Sequence, residues 1–318
     1  MTGFIDVVVS GPDISGTSTQ VHGLKEYLEK QNYKVRDLRG TEIDALFHAE
    51  KFRKLNQDHS SLKEFLASDQ VTDKTKRDLL FEANKLLIGG NTNQDLKVAS
   101  CLENGVSTYI NPDSADVWIM EEPTKRGAGQ VNRTIEQQRS KYNSEMNPMA
   151  AALTHQVYRT DEFLRFRQKF RENNKIILRS RSEESACYQI KESGTLPGGI
   201  DRETYINLPG HQIAFANPPT HLFIVCAKPD WTPEEYLELR EQRSKDRALD
   251  DHEKHAEYQT MLNKRYATSW IKNLYLEACT KYESIVPKIQ RFDIYKSKEQ
   301  IKSDMNIALQ DIMRSYQA

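Results

Sequence analysis

The chain has 318 residues, and its 45 Lys and Arg against 46 Asp and Glu give a formal net charge of −1. A balance this even creates no overall field for nucleic acid or an anionic membrane, so we expect neither as a partner. No apolar run approaches the ~20 residues of a membrane helix, and the N-terminus lacks a charged-then-apolar leader. We therefore expect a soluble, cytoplasmic protein. The length fits one enlarged α/β domain or a domain with an insertion.

The first predicted strand, "FIDVVVSG", runs into a glycine-containing turn and then a helix from Ser18. The stretch "VVVSGPDISGTSTQ" follows the phosphate-loop pattern G-x-x-x-x-G-K-[ST], except that Thr17 stands in the lysine position. In such a loop the backbone N–H groups and the helix dipole together attract an anion. The Ser18 hydroxyl is the candidate ligand for Mg²⁺.

Strands and helices alternate along the rest of the chain. After a possible second strand at "KVRDL", residues 38–114 have the polar, periodic pattern of helices. Thr232 and Glu235 mark the start of a later helix as a capping box. The other predicted elements are strands at "ADVWIMEEPT", "KIILRS", "THLFIVCAKP" and "IQRFDIY", and helices at "NPMAAALTHQVYRTDEFLRFRQKF" and the C-terminus. This alternation predicts an α/β protein with a parallel sheet covered on both faces.

The order of these motifs resembles that of the thymidylate kinase family of P-loop nucleoside monophosphate kinases. The resemblance covers residues 1–35 and 116–318 and leaves 36–115 as a largely helical insertion. It implies a P-loop kinase fold in which Asp13 approaches the acceptor nucleotide. It also implies that the ATP phosphates are bound by Gly11, Ser15, Gly16, Thr17, Ser18 and Thr19.

Two further segments resemble the acceptor-binding part of that family. In "EEPTKRGAGQVNRTI", Glu122 and Pro123 match an acidic-proline element, and Arg133 matches an arginine that binds the acceptor phosphate. An arginine suits this role because its planar fork grips two phosphate oxygens. In "AAALTHQVYRTDE", Arg159 falls on a position that contacts the acceptor base, while Tyr158 replaces an aspartate. A rival placement on "RDLRGTE" lacks the proline and the downstream arginine.

The segment "IILRSRSEESACYQI" resembles the family's D-R-Y-x-x-S-x-x-A-Y-Q, which implies acceptor contacts from Tyr188 and Gln189. Arg179 occupies the position of the aspartate that supports magnesium, and Ser180 occupies the arginine position. Arg181 is a candidate replacement for the missing guanidinium and acceptor contact. The candidates for the missing carboxylate are Glu183 and Glu184.

The segment "LREQRSKDRALDDHEK" resembles the family's lid, whose arginines fold over the donor phosphates. Arg240, Arg243 and Arg247 recur at three- and four-residue steps and so share one helical face. Three cations there would neutralise the charge that develops during phosphoryl transfer. The segment "QRFDIYKSKEQI" resembles the last strand and the loop that holds adenine.

The resemblance implies a homodimeric phosphotransferase that moves the ATP γ-phosphoryl group to dTMP or a related deoxynucleoside monophosphate. Asp13, Arg133, Arg240, Arg243 and Arg247 would be the catalytic residues, with Mg²⁺ as cofactor. A lysine–phosphate contact contributes about 1.5–3 kcal/mol, so its loss would slow transfer by about 10- to 200-fold. Two alternatives stay open: a catalytically degenerate nucleotide-binding or scaffold protein, and a kinase for another small phosphate acceptor.

Overall fold

The computed structural model describes residues 3–39, 112–124, 148–191, 199–243 and 255–317. A six-stranded sheet lies at its centre, with the order β2-β3-β4-β1-β5-β6 and every neighbouring pair parallel. The strands are β1 Ile5–Ser10, β2 Val35–Asp37, β3 Val117–Glu121, β4 Ile176–Ser180, β5 His221–Cys226 and β6 Lys288–Asp293. The predicted α/β class with a parallel sheet is confirmed.

Helices connect the strands on both sides of the sheet. They are α1 Thr17–Lys30, α2 Pro148–Glu162, α3 Gln168–Glu172, α4 Arg202–Asn207, α5 Pro209–Ala216, α6 Pro233–Arg243, α7 Ala256–Ala267, α8 Trp270–Lys281 and α9 Lys298–Gln317. A π-helical turn, Phe163–Arg167, joins α2 to α3, and a 3₁₀ segment, Glu183–Gln189, follows β4. Among the described residues, none of the helices combines the length and apolar character needed to cross a membrane.

Strand β1 shows how the sheet separates two hydrophobic cores. All six of its residues are buried, as expected of a strand covered on both faces. Val7 and Val9 pack with residues of α1, α6 and α9, whereas Val8 packs with residues of α4, α5, α7 and α8. Because successive side chains of a strand point to opposite faces, this division assigns every strand residue near the site to one face.

The capping box predicted at the start of α6 is confirmed. The Glu235 N–H donates to the Thr232 hydroxyl at 3.3 Å, and the Thr232 N–H donates to the Glu235 carboxylate at 2.9 Å. This is the reciprocal arrangement of a capping box. The predicted insertion, 36–115, lies almost entirely outside the described residues. Its first residues, Arg36 and Asp37, belong to β2, so the boundary drawn after residue 35 falls inside a strand.

Candidate nucleotide-phosphate site

The loop between β1 and α1 lies at the carboxyl end of a central strand, between β4 and β5. A Cβ on Gly11 would lie 2.2 Å from the Val225 carbonyl oxygen, so only glycine fits there. Gly16 begins α1 with φ +75°, and no described side chain caps the helix. The Ser15 hydroxyl is buried and has no hydrogen-bond partner within the described part of the chain. The loop therefore offers uncapped N–H groups and one unused hydroxyl to an anion.

Thr17 and Ser180, the two residues near the loop that depart from the family pattern, contact each other. The Ser180 hydroxyl donates to the Thr17 hydroxyl at 3.2 Å, and it lies 3.3 Å from the Ser18 hydroxyl. Thr17 is buried, whereas Ser18 and Thr19 are exposed on the first turn of α1. Small hydroxyl groups thus occupy the positions where the resemblance implies a lysine and an arginine. Positive charge at the loop must come from other residues.

Three arginines from distant parts of the chain reach this loop. Arg181 forms an ion pair with Asp13. Arg243 donates to the Ile14 carbonyl oxygen at 3.3 Å and also to backbone oxygens just after β6. Arg39 donates to the Ser18 carbonyl oxygen at 3.2 Å. The sequence predicts roles for Arg181 and Arg243, whereas Arg39 lies in "RDLRGTE", the rival placement of the acceptor motif.

Arg39 follows β2 at the carboxyl edge of the sheet, a position that could have identified it as a site residue. Its guanidinium is fixed by Asp37, whose two carboxylate oxygens accept hydrogen bonds at 3.0 and 2.7 Å. This bidentate pairing holds a planar cation beside the first turn of α1. Arg39 is therefore preorganised next to Ser18, the candidate magnesium ligand.

Arg179 lies on the face of the sheet opposite to Ser180 and points away from the loop. It is 1% exposed, and its guanidinium donates to the two Asp6 oxygens at 2.9 and 3.3 Å. It also donates to the Ser182 hydroxyl at 2.6 Å and lies 3.5 Å from a Glu122 carboxylate oxygen. The residue in the position of the magnesium-supporting aspartate is thus the centre of a buried ion-pair network.

The predicted acceptor residues Glu122 and Arg159 lie together inside the protein. Arg159 donates to Glu122 at 3.1 Å, and their side chains are 2% and 5% exposed. Arg159 also contacts the imidazole of His211, which burial and the Arg159 charge keep neutral by holding the His211 pKa well below its ordinary value. The Nη2 atom of Arg159 has no hydrogen-bond partner among the described residues. Pro123, which directly follows Glu122, is half-buried.

Tyr188 and Gln189 belong to a chain of polar side chains on the same face. The Tyr188 hydroxyl lies 3.3 Å from the His155 Nε2, and His155 Nδ1 lies 3.2 Å from the Tyr158 hydroxyl. The Gln189 side chain donates to the Tyr188 hydroxyl at 3.4 Å, while its Oε1 atom has no partner in the described structure. Tyr158, which replaces the family's aspartate, is therefore part of this chain.

Three further predicted residues are Arg240, Arg133 and Arg247. The Arg240 guanidinium lies 5.9 Å from the centre of the Tyr236 ring on α6. Arg133 and Arg247 lie outside the described residues. Their predicted roles stay predictions.

Glu183 and Glu184 form a buried carboxyl pair rather than a group near Ser18. Both are fully buried, and the Tyr275 hydroxyl lies 2.9 Å from an oxygen of Glu183 and 3.0 Å from an oxygen of Glu184. The two carboxyl groups thus share the Tyr275 hydroxyl in a site closed to solvent. Burial and the adjacent Glu183 charge raise the pKa of Glu184 to about 7.

This carboxyl pair makes the stability of the protein depend on pH. Between the ordinary pKa of 4.5 and about 7, folded Glu184 binds more protons than the unfolded chain does. Its contribution to the free energy of unfolding is therefore complete below pH 4.5 and falls by up to about 1.4 kcal/mol per pH unit towards pH 7. We expect Glu184→Gln to remove this slope in urea unfolding at pH 5, 6, 7 and 8.

The matched control is Glu238→Gln, which changes an exposed carboxylate on α6. This variant should keep the slope of the unmodified protein. Identical pH slopes for the Glu184→Gln variant and the unmodified protein would show that Glu184 is already ionised in the folded state at pH 5.

No protein-family model matches the sequence, and no curated protein matches it. Among solved structures, the chain is similar to the crystal structure of thymidylate kinase from Ehrlichia chaffeensis. The two are 13% identical, the match covers 97% of this chain and 99% of that chain, and the TM-score is 0.42. At this TM-score the match assigns no role to any residue of this chain.

Proposed function

We propose that the protein binds ATP through its loop 11–16 and transfers the γ-phosphoryl group to dTMP or a related deoxynucleoside monophosphate. The observation that carries the proposal is the unpartnered, buried Ser15 hydroxyl in a glycine-bounded loop at the uncapped start of α1. Ligands of open parallel sheets bind at this carboxyl edge. The order of motifs along the chain supports the choice of reaction.

Arginines supply the positive charge that Thr17 cannot. Arg181, which follows β4, and Arg39, which follows β2, contact the loop and the first turn of α1 from the same side of β1 in the sheet order. Arg243 ties the loop to the segment after β6, on the other side of β1. Fixed guanidinium groups of this kind stabilise charge on the transferring phosphoryl group without reorganising.

Ser18 and Glu121 are the residues that would hold Mg²⁺. Glu121 pairs in register with Ser180, whose hydroxyl lies 3.3 Å from that of Ser18. Val117 and Ile119, at the alternate positions of β3, pack in the core on the α1 side, so Glu121 shares that face. Hydroxyl and carboxylate oxygens are ligands that Mg²⁺ takes alongside phosphate oxygens. When bound, the ion would neutralise charge on the β- and γ-phosphates.

A second candidate is a nucleotide-binding protein without turnover. The contact between Thr17 and Ser180 favours it, as does Arg179, which is committed to the buried Asp6. In the family pattern, the positions of Thr17, Ser180 and Arg179 are occupied by lysine, arginine and aspartate. A kinase for another acceptor is the remaining alternative, because Tyr158 alters the predicted acceptor side.

A transfer assay separates these candidates. We would incubate the protein with γ-labelled ATP, Mg²⁺ and dTMP, measure labelled dTDP, and repeat the assay with a panel of other monophosphates. For a kinase, Ser18→Ala should reduce the rate at least about tenfold, because it removes a metal ligand. The control Thr280→Ala removes an exposed helix hydroxyl away from the loop and should leave the rate unchanged.

ATP binding without product across the whole panel would favour the nucleotide-binding candidate. The absence of both binding and product would contradict the proposal. Transfer to another monophosphate but not to dTMP would identify the acceptor class instead.

A further inference from the structure

Gln259 on α7 forms hydrogen bonds to Asp13 in the loop 11–16. It is fully buried, and its side-chain amide contacts Asp13 through two hydrogen bonds. The Asp13 N–H donates to the Gln259 carbonyl oxygen at 3.1 Å, and the Gln259 Nε2 donates to the Asp13 carboxylate at 2.7 Å. An amide provides one acceptor and one donor group, so only one orientation of Asp13 satisfies both bonds.

Asn263, one helical turn further along α7, holds the end of β5 in the same way. Its carbonyl oxygen accepts from the Ala227 N–H at 2.8 Å, and its Nδ2 donates to the Lys228 carbonyl oxygen at 2.8 Å. Residues four apart share one helix face. One face of α7 therefore joins the loop after β1 to the loop after β5 through two buried amides.

The second carboxylate oxygen of Asp13 is the partner of Arg181. One oxygen thus faces Gln259 and the other faces Arg181, the candidate replacement for the missing guanidinium. We propose that Gln259 is a positioning residue, which fixes Asp13 and thereby sets Arg181 beside the loop 11–16. This inference deepens the proposed function and rests on it. Gln259 acts through Asp13 and takes no part in the contacts to phosphate.

Gln259→Glu is the most specific disturbance of this arrangement. It turns the donor that lies 2.7 Å from the Asp13 carboxylate into a second carboxylate. Leaving that buried charge unpaired should weaken ATP binding about tenfold to a hundredfold. The double variant Asp13→Asn/Gln259→Glu exchanges the amide and the carboxylate and restores a donor–acceptor pair. We expect its ATP affinity to recover to within about threefold of the Asp13→Asn variant.

The control is Asn263→Leu, which removes two buried hydrogen bonds from the same helix face but leaves Asp13 alone. A merely structural role for Gln259 predicts that Asn263→Leu and Gln259→Leu weaken ATP binding in proportion to their loss of stability. A positioning role predicts that Gln259→Leu weakens ATP binding and Asn263→Leu does not, even where the two variants lose equal stability.

Hydrogen exchange in the ligand-free protein tests the geometry without any nucleotide. Gln259→Leu should accelerate exchange of the Asp13 amide, whereas Asn263→Leu should accelerate that of Ala227. Unchanged exchange at Asp13, or no recovery of ATP affinity in the double variant, would overturn the inference. If the unmodified protein binds no ATP, the proposed function fails, and the positioning role for ATP fails with it. If the unmodified protein and the Gln259→Glu variant both bind ATP normally, the positioning role fails while the proposed function stands.

Discussion

Arg179→Met is expected to lower the free energy of unfolding by about 3–5 kcal/mol, measured by urea denaturation. The guanidinium is 1% exposed and binds both oxygens of Asp6, which is itself fully buried. It also neutralises the nearby Glu122. Methionine fills a similar volume but leaves these carboxylates with fewer counter-charges in a low-dielectric interior, and an uncompensated buried charge is costly.

Two comparisons make this result specific to the buried network. Arg314→Met removes one partner of an exposed ion pair with Asp311 and should cost less than about 1 kcal/mol. The effects of Arg179→Met and Asp6→Asn should be non-additive in a double-mutant cycle, because the two groups interact directly. A cost for Arg179→Met no larger than that for Arg314→Met would show that Arg179 is not the centre of the network.

Gly11→Ala is expected to abolish ATP binding and to destabilise the protein by about 1–3 kcal/mol. The added Cβ would lie 2.2 Å from the Val225 carbonyl oxygen and 2.8 Å from the Ser15 hydroxyl. Val225 belongs to β5, which is paired on both sides, so its backbone has no room to withdraw. The loop must move instead, and its N–H groups then no longer converge on one anion.

Gly23→Ala is the matched control for this variant. Gly23 lies within α1, and the three atoms nearest to a Cβ there would belong to the flexible side chain of Lys302, from 3.0 Å. Alanine is also the better helix former, by about 1 kcal/mol. ATP titration and urea denaturation should show normal binding and normal or higher stability. Normal ATP binding by Gly11→Ala would show that the loop does not hold the phosphates.

The fold was largely predictable because its signals are local. The buried run in β1 and the capping box at Thr232 depend on residues close in sequence, and both occur as expected. The residues around the loop come from distant segments. Asp13 and Arg181 are 168 residues apart, and Asp13 and Gln259 are 246 apart. No local pattern indicates such contacts, since they depend on how α7 and β4 pack against β1.

One feature of the site could have been inferred from strand geometry alone. Adjacent residues of a strand point to opposite faces, so Arg179 and Ser180 cannot both reach the loop, nor can Glu121 and Glu122. The structure places Ser180 against Thr17 on the loop side, and Arg179 against Asp6 on the other side. The replacement carboxylates predicted from the sequence, Glu183 and Glu184, lie on the side of Arg179.

Titration calorimetry with ATP and with adenosine, each in the presence of Mg²⁺, tests the central claim most directly. If the loop 11–16 binds the phosphates, most of the affinity comes from them. ATP should then bind at least about tenfold more tightly than adenosine, and inorganic tripolyphosphate should compete with it. Equal affinity for ATP and adenosine, or no binding of ATP, would contradict the assignment of this loop as a nucleotide-phosphate site.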